Sequence, residues 1–274
     1  MCDRRRALTD SERRALQISE LEILREFKRL CNSNHLEYYL TAGTLLGAVR
    51  HQGFIPWDDD IDIAMPRKDF DSLAALCREQ LKEGLYYQDG KTETNYPYYF
   101  AKIRKHGTEV IEPCLESVNI QKGHYIDIFP LDGCPSSPVI ARLFFKLIAF
   151  FTAALQGKVD PSYSCGYSKP GMRFTYRLFR HFPIDVLKGL RDLTRTVFSA
   201  GSKRRLCTVS GVHGYPAEAF DSDWFIETVE LPFEGEAFHA PIKWHQLLTN
   251  MYGDYMKPPD ESDRQGHFIN IEGE

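Results

Sequence analysis

"GFIPWDDDIDIAM", residues 53–65, places four carboxylates, Asp58, Asp59, Asp60 and Asp62, within five positions and then runs into apolar residues. In "DIDIAM" acids and isoleucines alternate, which predicts a strand over 60–65 with Asp60 and Asp62 on one face and Ile61 and Ile63 in the core. Asp58 joins the acidic face if the extended backbone begins early, and Asp59 points away as the member expendable for chemistry. Carboxylates this close repel, so one takes up a proton at neutral pH unless a cation lies between them. Oxygen-only ligands suit a hard ion, Mg²⁺ or Mn²⁺, which keeps several waters and is completed by substrate phosphates.

Two plainer readings compete. An acidic strand end can be a solvated edge whose charges discourage aggregation. A calcium-binding EF-hand loop is excluded, because counting from Asp58 puts Ile63 where glycine is required and Asp69 where glutamate is required. A further acid decides against the edge reading. In "YIDIF" Asp127 stands between Ile126 and Ile128, again polar inside an apolar strand, and two acids on one strand with a third on a neighbour form a metal cradle.

Outward from this stretch the chain reads as alternating elements. Leu16, Leu24, Phe27, Leu30 and Cys31 follow helical spacing over Asp10–Asn34, with Asp10 or Ser11 as cap. "LEYYLT" (36–41) predicts a strand, and "AGTLLGAVRHQG" a glycine turn opening a helix. Backbone N–H groups at that helix start, beside the Gly43-Thr44 pair, can hold a phosphate, although Gly-Thr alone marks only a turn. Pro66 opens a helix that Gly84 ends, and 96–112 and 123–133 predict further strands. From Pro135 the composition turns aromatic and basic, with helical spacing in 139–156, 171–182 and 185–200. The remainder holds a strand in 224–235, a helix in 242–253 and an irregular tail at Pro258 and Pro259.

The fold class expected is α/β of the α+β type, a mixed sheet flanked by helices with a helical subdomain. The divisions are 1–134 as catalytic core, 135–210 as helical subdomain and 211–274 as a segment packing on the core. A net charge of -4 from 34 basic and 38 acidic residues offers no general attraction to nucleic acid, and no protein partner is implied. Seven scattered cysteines without a C-x-x-C pair, and a basic amino terminus without a following apolar stretch, imply a cytoplasmic protein. "LFFKLIAFFTAAL" (143–155) falls short of the roughly 20 residues that span a bilayer and reads as a buried or an interfacial helix.

"GTLLGAVRHQGFIPWDDDIDIAMPR" closely resembles the signature of the LicD family of phosphocholine and related phosphotransferases, which includes the fukutins. "FAKIRKHGT", "YIDIFPLDG", "LPFEG" and "MYGDYMKPP" extend the resemblance from about residue 18 to 267, least distinctively over 135–215. It implies a nucleotidyltransferase-like fold, with Gly43-Thr44 as the glycine turn (Thr44 in place of the usual serine), Asp60 with Asp62 as the paired acids and Asp127 as the third. The gap between turn and acid pair is somewhat longer than in the wider superfamily. It also implies transfer of a phospho-alcohol from a CDP-alcohol donor such as CDP-choline to a hydroxyl of a cell-surface glycan or teichoic acid precursor, lipid-linked in many such enzymes, with release of CMP. Asp60, Asp62 and Asp127 then hold Mg²⁺ or Mn²⁺, and Asp127 takes the hydroxyl proton. Arg50 and Lys102 are candidates to neutralise donor phosphate, each with a solvated surface cation as the alternative, and Asp58 supports the pair. No zinc is implied, because the cysteine-rich element of the animal fukutin-related protein is missing. A lipid-linked acceptor and the 143–155 run together suggest peripheral contact with the inner membrane face. The rival readings are a nucleotidyltransferase acting on a sugar or small molecule, and a non-catalytic glycan-binding relative.

Overall fold

Helix α1 (Asp10–Asn34) has the bounds its periodicity predicts, but its cap is Thr9. The Thr9 hydroxyl accepts the Glu12 N–H while the Thr9 N–H donates to the Glu12 carboxylate, a reciprocal arrangement that satisfies two amides the first turn leaves open. The structure, a computed structural model, describes residues 5–112, 115–159, 179, 181–202, 204–260, 264 and 269–271. The helix expected over 171–182 lies almost wholly outside the described residues.

The fold is α/β, built on a mixed sheet. Its main path runs β2 (Tyr39–Leu40), β3 (Asp62–Pro66), β6 (Tyr125–Gly133), β5 (Ala101–Lys105) and β4 (Leu85–Gln88). β3 and β6 are parallel, the chain running from β3 through α3 (Arg67–Gln80), β4 and β5 before it reaches β6, and the other pairs on this path are antiparallel. β7 (Arg205–Cys207) pairs with the far end of β6 and β8 (Ala219–Asp221) with β7. The hairpin of β9 (Thr228–Phe233) and β10 (Glu236–Pro241) packs on β2 and on α2 (Ala42–His51). β1 (Arg5–Ala7) pairs with β11 (Ile269–Ile271).

Several expectations shift. The strand over 36–41 shortens to β2, since Leu36 continues the α1 cap by donating to the Cys31 carbonyl. α3 ends at Gln80 rather than at Gly84, which takes φ +88° in the turn that leads into β4. β4 and β10 were not foreseen, because "LYYQ" and "EAFHAP" are short and lack clean alternation.

The sheet is two-faced. Ile63 and Met65 of β3, Ile126 and Ile128 of β6, and Ala101 and Ile103 of β5 join Leu24, Phe27, Phe70 and Leu73 in the principal core. On the opposite face the register aligns Asp62, Asp127 and Lys102 in one row, and Arg104 with Tyr125 in the next. α4 (Pro138–Val159) pairs with α5 (Ile184–Ser199), and α6 (Trp244–Tyr252) contributes Leu247 and Leu248 to the core. α4 spans 22 residues, of which an 18-residue window has mean hydropathy 1.8, so it exceeds the 13-residue run seen in the sequence and is long and apolar enough to cross a membrane. It is nevertheless anchored in the protein, since Phe144, Phe145 and Ile148 pack with Cys134, Cys207 and Ala219.

Glu218, beside β8, is 1% exposed; its Oε1 accepts the His213 N–H at 2.7 Å and its Oε2 has no hydrogen-bond partner among the described residues. Burial pushes its carboxyl from 4.5 up to about 7. A raised folded-state value means the folded protein holds the proton more tightly, so this contribution is complete below pH 4.5 and is lost as pH rises through 7. Chemical denaturation from pH 4 to pH 8 should therefore show Glu218→Gln with a flatter stability profile than the parent, by on the order of 3 kcal/mol. Parallel profiles would contradict it.

Candidate functional site

The acidic stretch is only partly a strand. β3 begins at Asp62, so Asp58, Asp59 and Asp60 lie in the loop that enters it and the alternation expected from residue 60 does not sort them. Ligand oxygens of all three lie within 4.8 Å of one another. Asp59, expected to point away, is 1% exposed and belongs to this cluster, because loop backbone imposes no period of two.

Each end of the loop is fastened. The Asp62 N–H donates to the Thr44 hydroxyl at 2.7 Å, and the Thr41 N–H donates to the Asp62 carbonyl at 3.2 Å. Gln17 of α1 donates from Nε2 to the Asp58 carbonyl at 2.8 Å, and the Asp127 N–H reaches the Ile61 carbonyl at 2.8 Å. Gly43 is required by proximity, since a Cβ there would stand 2.6 Å from Asp58 Oδ2. The turn before it is strained, with Ala42 at φ 45°, a left-handed conformation that costs a non-glycine residue on the order of 1 kcal/mol or more. Gly43 and Thr44 are thus brought to the acids, and the Thr44 hydroxyl, 3% exposed, is engaged by the Asp62 backbone.

Asp127 lies directly opposite Asp62 in the parallel register and opposite Lys102 in the antiparallel one. Lys102 is 1% exposed, which removes the solvated-cation alternative. Its Nζ stands 2.7 Å from Asp127 Oδ1, 3.2 Å from Glu112 Oε2 and 3.2 Å from the centre of the Tyr125 ring. Arg104 pairs with Glu112 at 2.5 Å and donates to Gln88 and to the Gly123 carbonyl, so the buried charges form one connected set. Burial pushes the Asp127 carboxyl up to about 7, Lys102 opposes that rise, and Glu112 and Asp60 add to it.

Arg50 is held at the far end of α2 from Gly43, beside Tyr252. It sits in the last turn of α2, about 10 Å along the axis from Gly43, where it donates to the Tyr255 carbonyl at 2.9 Å and lies over the Trp57 ring. Burial lowers its pKa and the nearby Arg264 lowers it further.

Two groups that the sequence reading passed over belong here. Glu20 of α1 is fully buried, and burial together with Asp60, Asp59, Asp58 and Asp127 raises its pKa well above the ordinary carboxylate range. Its signal was present: Glu20 stands four residues after Leu16 and four before Leu24, a charged residue on an apolar stripe. Tyr252, at the end of α6, is raised by burial and then by Asp62, Asp58 and Asp60. Its mark in the sequence is its place in "MYGDYMKPP", one of the stretches that extend the resemblance.

A divalent ion fits this donor set. Ligand oxygens about 2.1 Å from a hexacoordinate ion stand roughly 3 to 4 Å apart, and those of Asp58, Asp59 and Asp60 all lie within 4.8 Å of one another. The donors are all hard oxygens, and Lys102, buried on the same face of the sheet as Asp127, is engaged by Asp127 and Glu112.

Residues 35–132, the span from the end of α1 to the Asp132 end of β6, match the family profile described as LicD/FKTN/FKRP, nucleotidyltransferase domain. This stretch is similar to LicD-type nucleotidyltransferase domains. All the acids above except Glu20, and both buried cations of the polar face, fall inside this LicD-type span. The whole chain is similar to the lipopolysaccharide cholinephosphotransferase LicD of Haemophilus influenzae, at 29% identity over 93% of this chain and 96% of that protein. Uncharacterised proteins of Rickettsia typhi and Rickettsia prowazekii match shorter stretches, at 46% identity over 22% of the chain and 44% over 19%.

The Thr44 hydroxyl serves this site first as an acceptor for a buried amide. Thr44→Val should leave the Asp62 N–H unpaired and cost about 1–3 kcal/mol, while Thr44→Ser should stay close to the parent. Urea denaturation of the three proteins checks this, and equal midpoints for Val and Ser would refute the role.

Proposed function

We propose that the protein is a phosphotransferase that moves phosphocholine, or a closely related phospho-alcohol, from a nucleotide-activated donor to a hydroxyl of a glycan or lipopolysaccharide-type acceptor. The observation that carries this is the similarity to a lipopolysaccharide cholinephosphotransferase over nearly the full length of both chains. The acids of the loop before β3, of β3 and of β6, with Gly43 of α2 beside Asp58, support it. The donor proposed is CDP-choline or another CDP-alcohol, and the metal Mg²⁺ or Mn²⁺.

Asp60, Asp62 and Asp127 would hold the ion, with Asp58 in support. When bound, it would offset the charge of the donor diphosphate. Gly43 leaves room at the α2 amino terminus, where backbone N–H groups favour negative charge. The acceptor oxygen attacks the phosphorus that bears the alcohol, the bond to the CMP oxygen breaks, and Asp127 receives the hydroxyl proton. Lys102, bound to Asp127, acts by orienting that carboxylate rather than by reaching the donor. Arg50 would require a donor long enough to extend past α2. Preorganised charge around the transferring group supplies the rate enhancement.

Purified protein with CDP-choline and Mg²⁺ should release CMP. Asp60→Asn and Asp127→Asn should each lower the rate by at least about a hundredfold while circular dichroism stays unchanged. Release of pyrophosphate from CTP instead, or full turnover in both variants, would overturn the reading.

We further propose that the protein works at the cytoplasmic face of a membrane. Val139, Ile140 and Leu143 of α4 and Leu193 and Val197 of α5 are exposed, and Ile140 and Val197 line one shared hollow, so the two stripes are continuous. Arg142 and Lys146 stand exposed beside them, matching an anionic lipid surface. Vesicles containing anionic lipid should sediment the protein at low salt, and Leu143→Glu should cut the bound fraction several-fold. A parent protein that stays in the supernatant would refute it.

A further inference from the structure

Glu20 poses a problem that the aspartates do not. Its relative exposure is 0%, and neither Oε1 nor Oε2 has a hydrogen-bond partner among the described residues. A buried polar atom without a partner is destabilising, and a carboxyl with two such atoms more so. The strongest charges acting on it are Asp60, Asp59, Asp58 and Asp127, all negative. Gln17, one turn earlier on the same helix, binds the Asp58 carbonyl at 2.8 Å, which fixes this face of α1 against the acidic loop. Leucine in place of Glu20 would continue the stripe of Leu16, Leu24 and Phe27 and remove the conflict. Retaining an acid there makes physical sense if a cation occupies the space it faces.

We propose that Glu20 is itself an oxygen ligand of the divalent cation held by the aspartates, so that α1, outside the span matching the family profile, completes the metal centre. This rests on the metal reading above and extends it to a residue from a different element. α1 then couples metal binding to folding: the ion satisfies a group that otherwise opposes the packing of α1 on the sheet. In the metal-free protein Glu20 is a source of instability, and in the loaded protein it is a source of affinity.

The test uses the whole purified chain, stripped with EDTA and titrated with Mn²⁺ alone, with free Mn²⁺ followed by electron paramagnetic resonance and melting followed in parallel. Glu20→Gln should bind Mn²⁺ about ten- to a hundredfold more weakly than the parent. In EDTA it should melt at or above the parent temperature, and Mn²⁺ should raise its melting point by less. Glu20→Asp, which keeps the charge but shortens the reach by one methylene, should also bind more weakly, and it carries the test if the glutamine variant does not fold. Parent-like Mn²⁺ affinity in folded Glu20 variants, with binding lost in Asp60→Asn, would overturn the role of Glu20 and leave the aspartate site standing. Parent-like binding in Asp60→Asn, or no binding by the parent, would overturn the metal reading itself. A glutamine variant that melts below the parent in EDTA would show that the Glu20 carboxylate is already satisfied, and would refute the proposal.

Discussion

Repulsion among carboxylates confined to one partly buried space is the constraint around which this protein is arranged. Asp58, Asp59 and Asp60 sit within reach of one another, Asp60 acts on Asp127, and Glu20 faces all four. Such a cluster opposes folding unless the backbone carrying it is held from several sides. The holding is visible: Thr44 and Thr41 grip Asp62, Gln17 grips Asp58, and Ile61 is tied to Asp127. These anchors come from α1, the start of α2 and β6, so the loop depends on elements distant in sequence.

The sheet makes this tolerable by dividing its faces. One face is apolar, and its isoleucines with Phe27, Phe70 and Leu73 supply the burial that stabilises the domain. The other face carries charge, but charge that is paired: Lys102 with Asp127 and Glu112, and Arg104 with Glu112 and Gln88. A one-residue slip of β5 against β6 would move Lys102 into the core and leave Asp127 without its cation. The register that builds the core is therefore the register that builds the site.

Much of this was legible beforehand, for identifiable reasons. α1, α2 and α3 follow from apolar spacing, and the alternation around Asp62 and Asp127 announces strands with one polar face. The LicD-like signature singled out Gly43, Thr44, Asp60, Asp62 and Asp127, and those residues do stand together. Local pattern misled where the backbone was irregular. Asp59 was set aside by an alternation that begins only at Asp62, and Arg50 was grouped with Gly43 by nearness in sequence although α2 carries it to the far end of the helix, beside Tyr252. Lys102 was known as a cation but not as a buried one, because a strand period shows which face a residue takes and not what covers that face.

The amino-acid sequence by itself determined α1, α2, α3, the strands that carry Asp62 and Asp127 and the acidic character of the site, since helical and strand periods and the run of aspartates are local properties of the chain. Tertiary structure alone decided the partners: that Asp127 would meet Lys102, that the Thr44 hydroxyl would be engaged by Asp62, and that Glu20 would be enclosed among aspartates 38 or more positions away. The reason is that burial and electrostatic interaction depend on distance through space. A helix face or a strand register can join residues between which the linear pattern carries no mark.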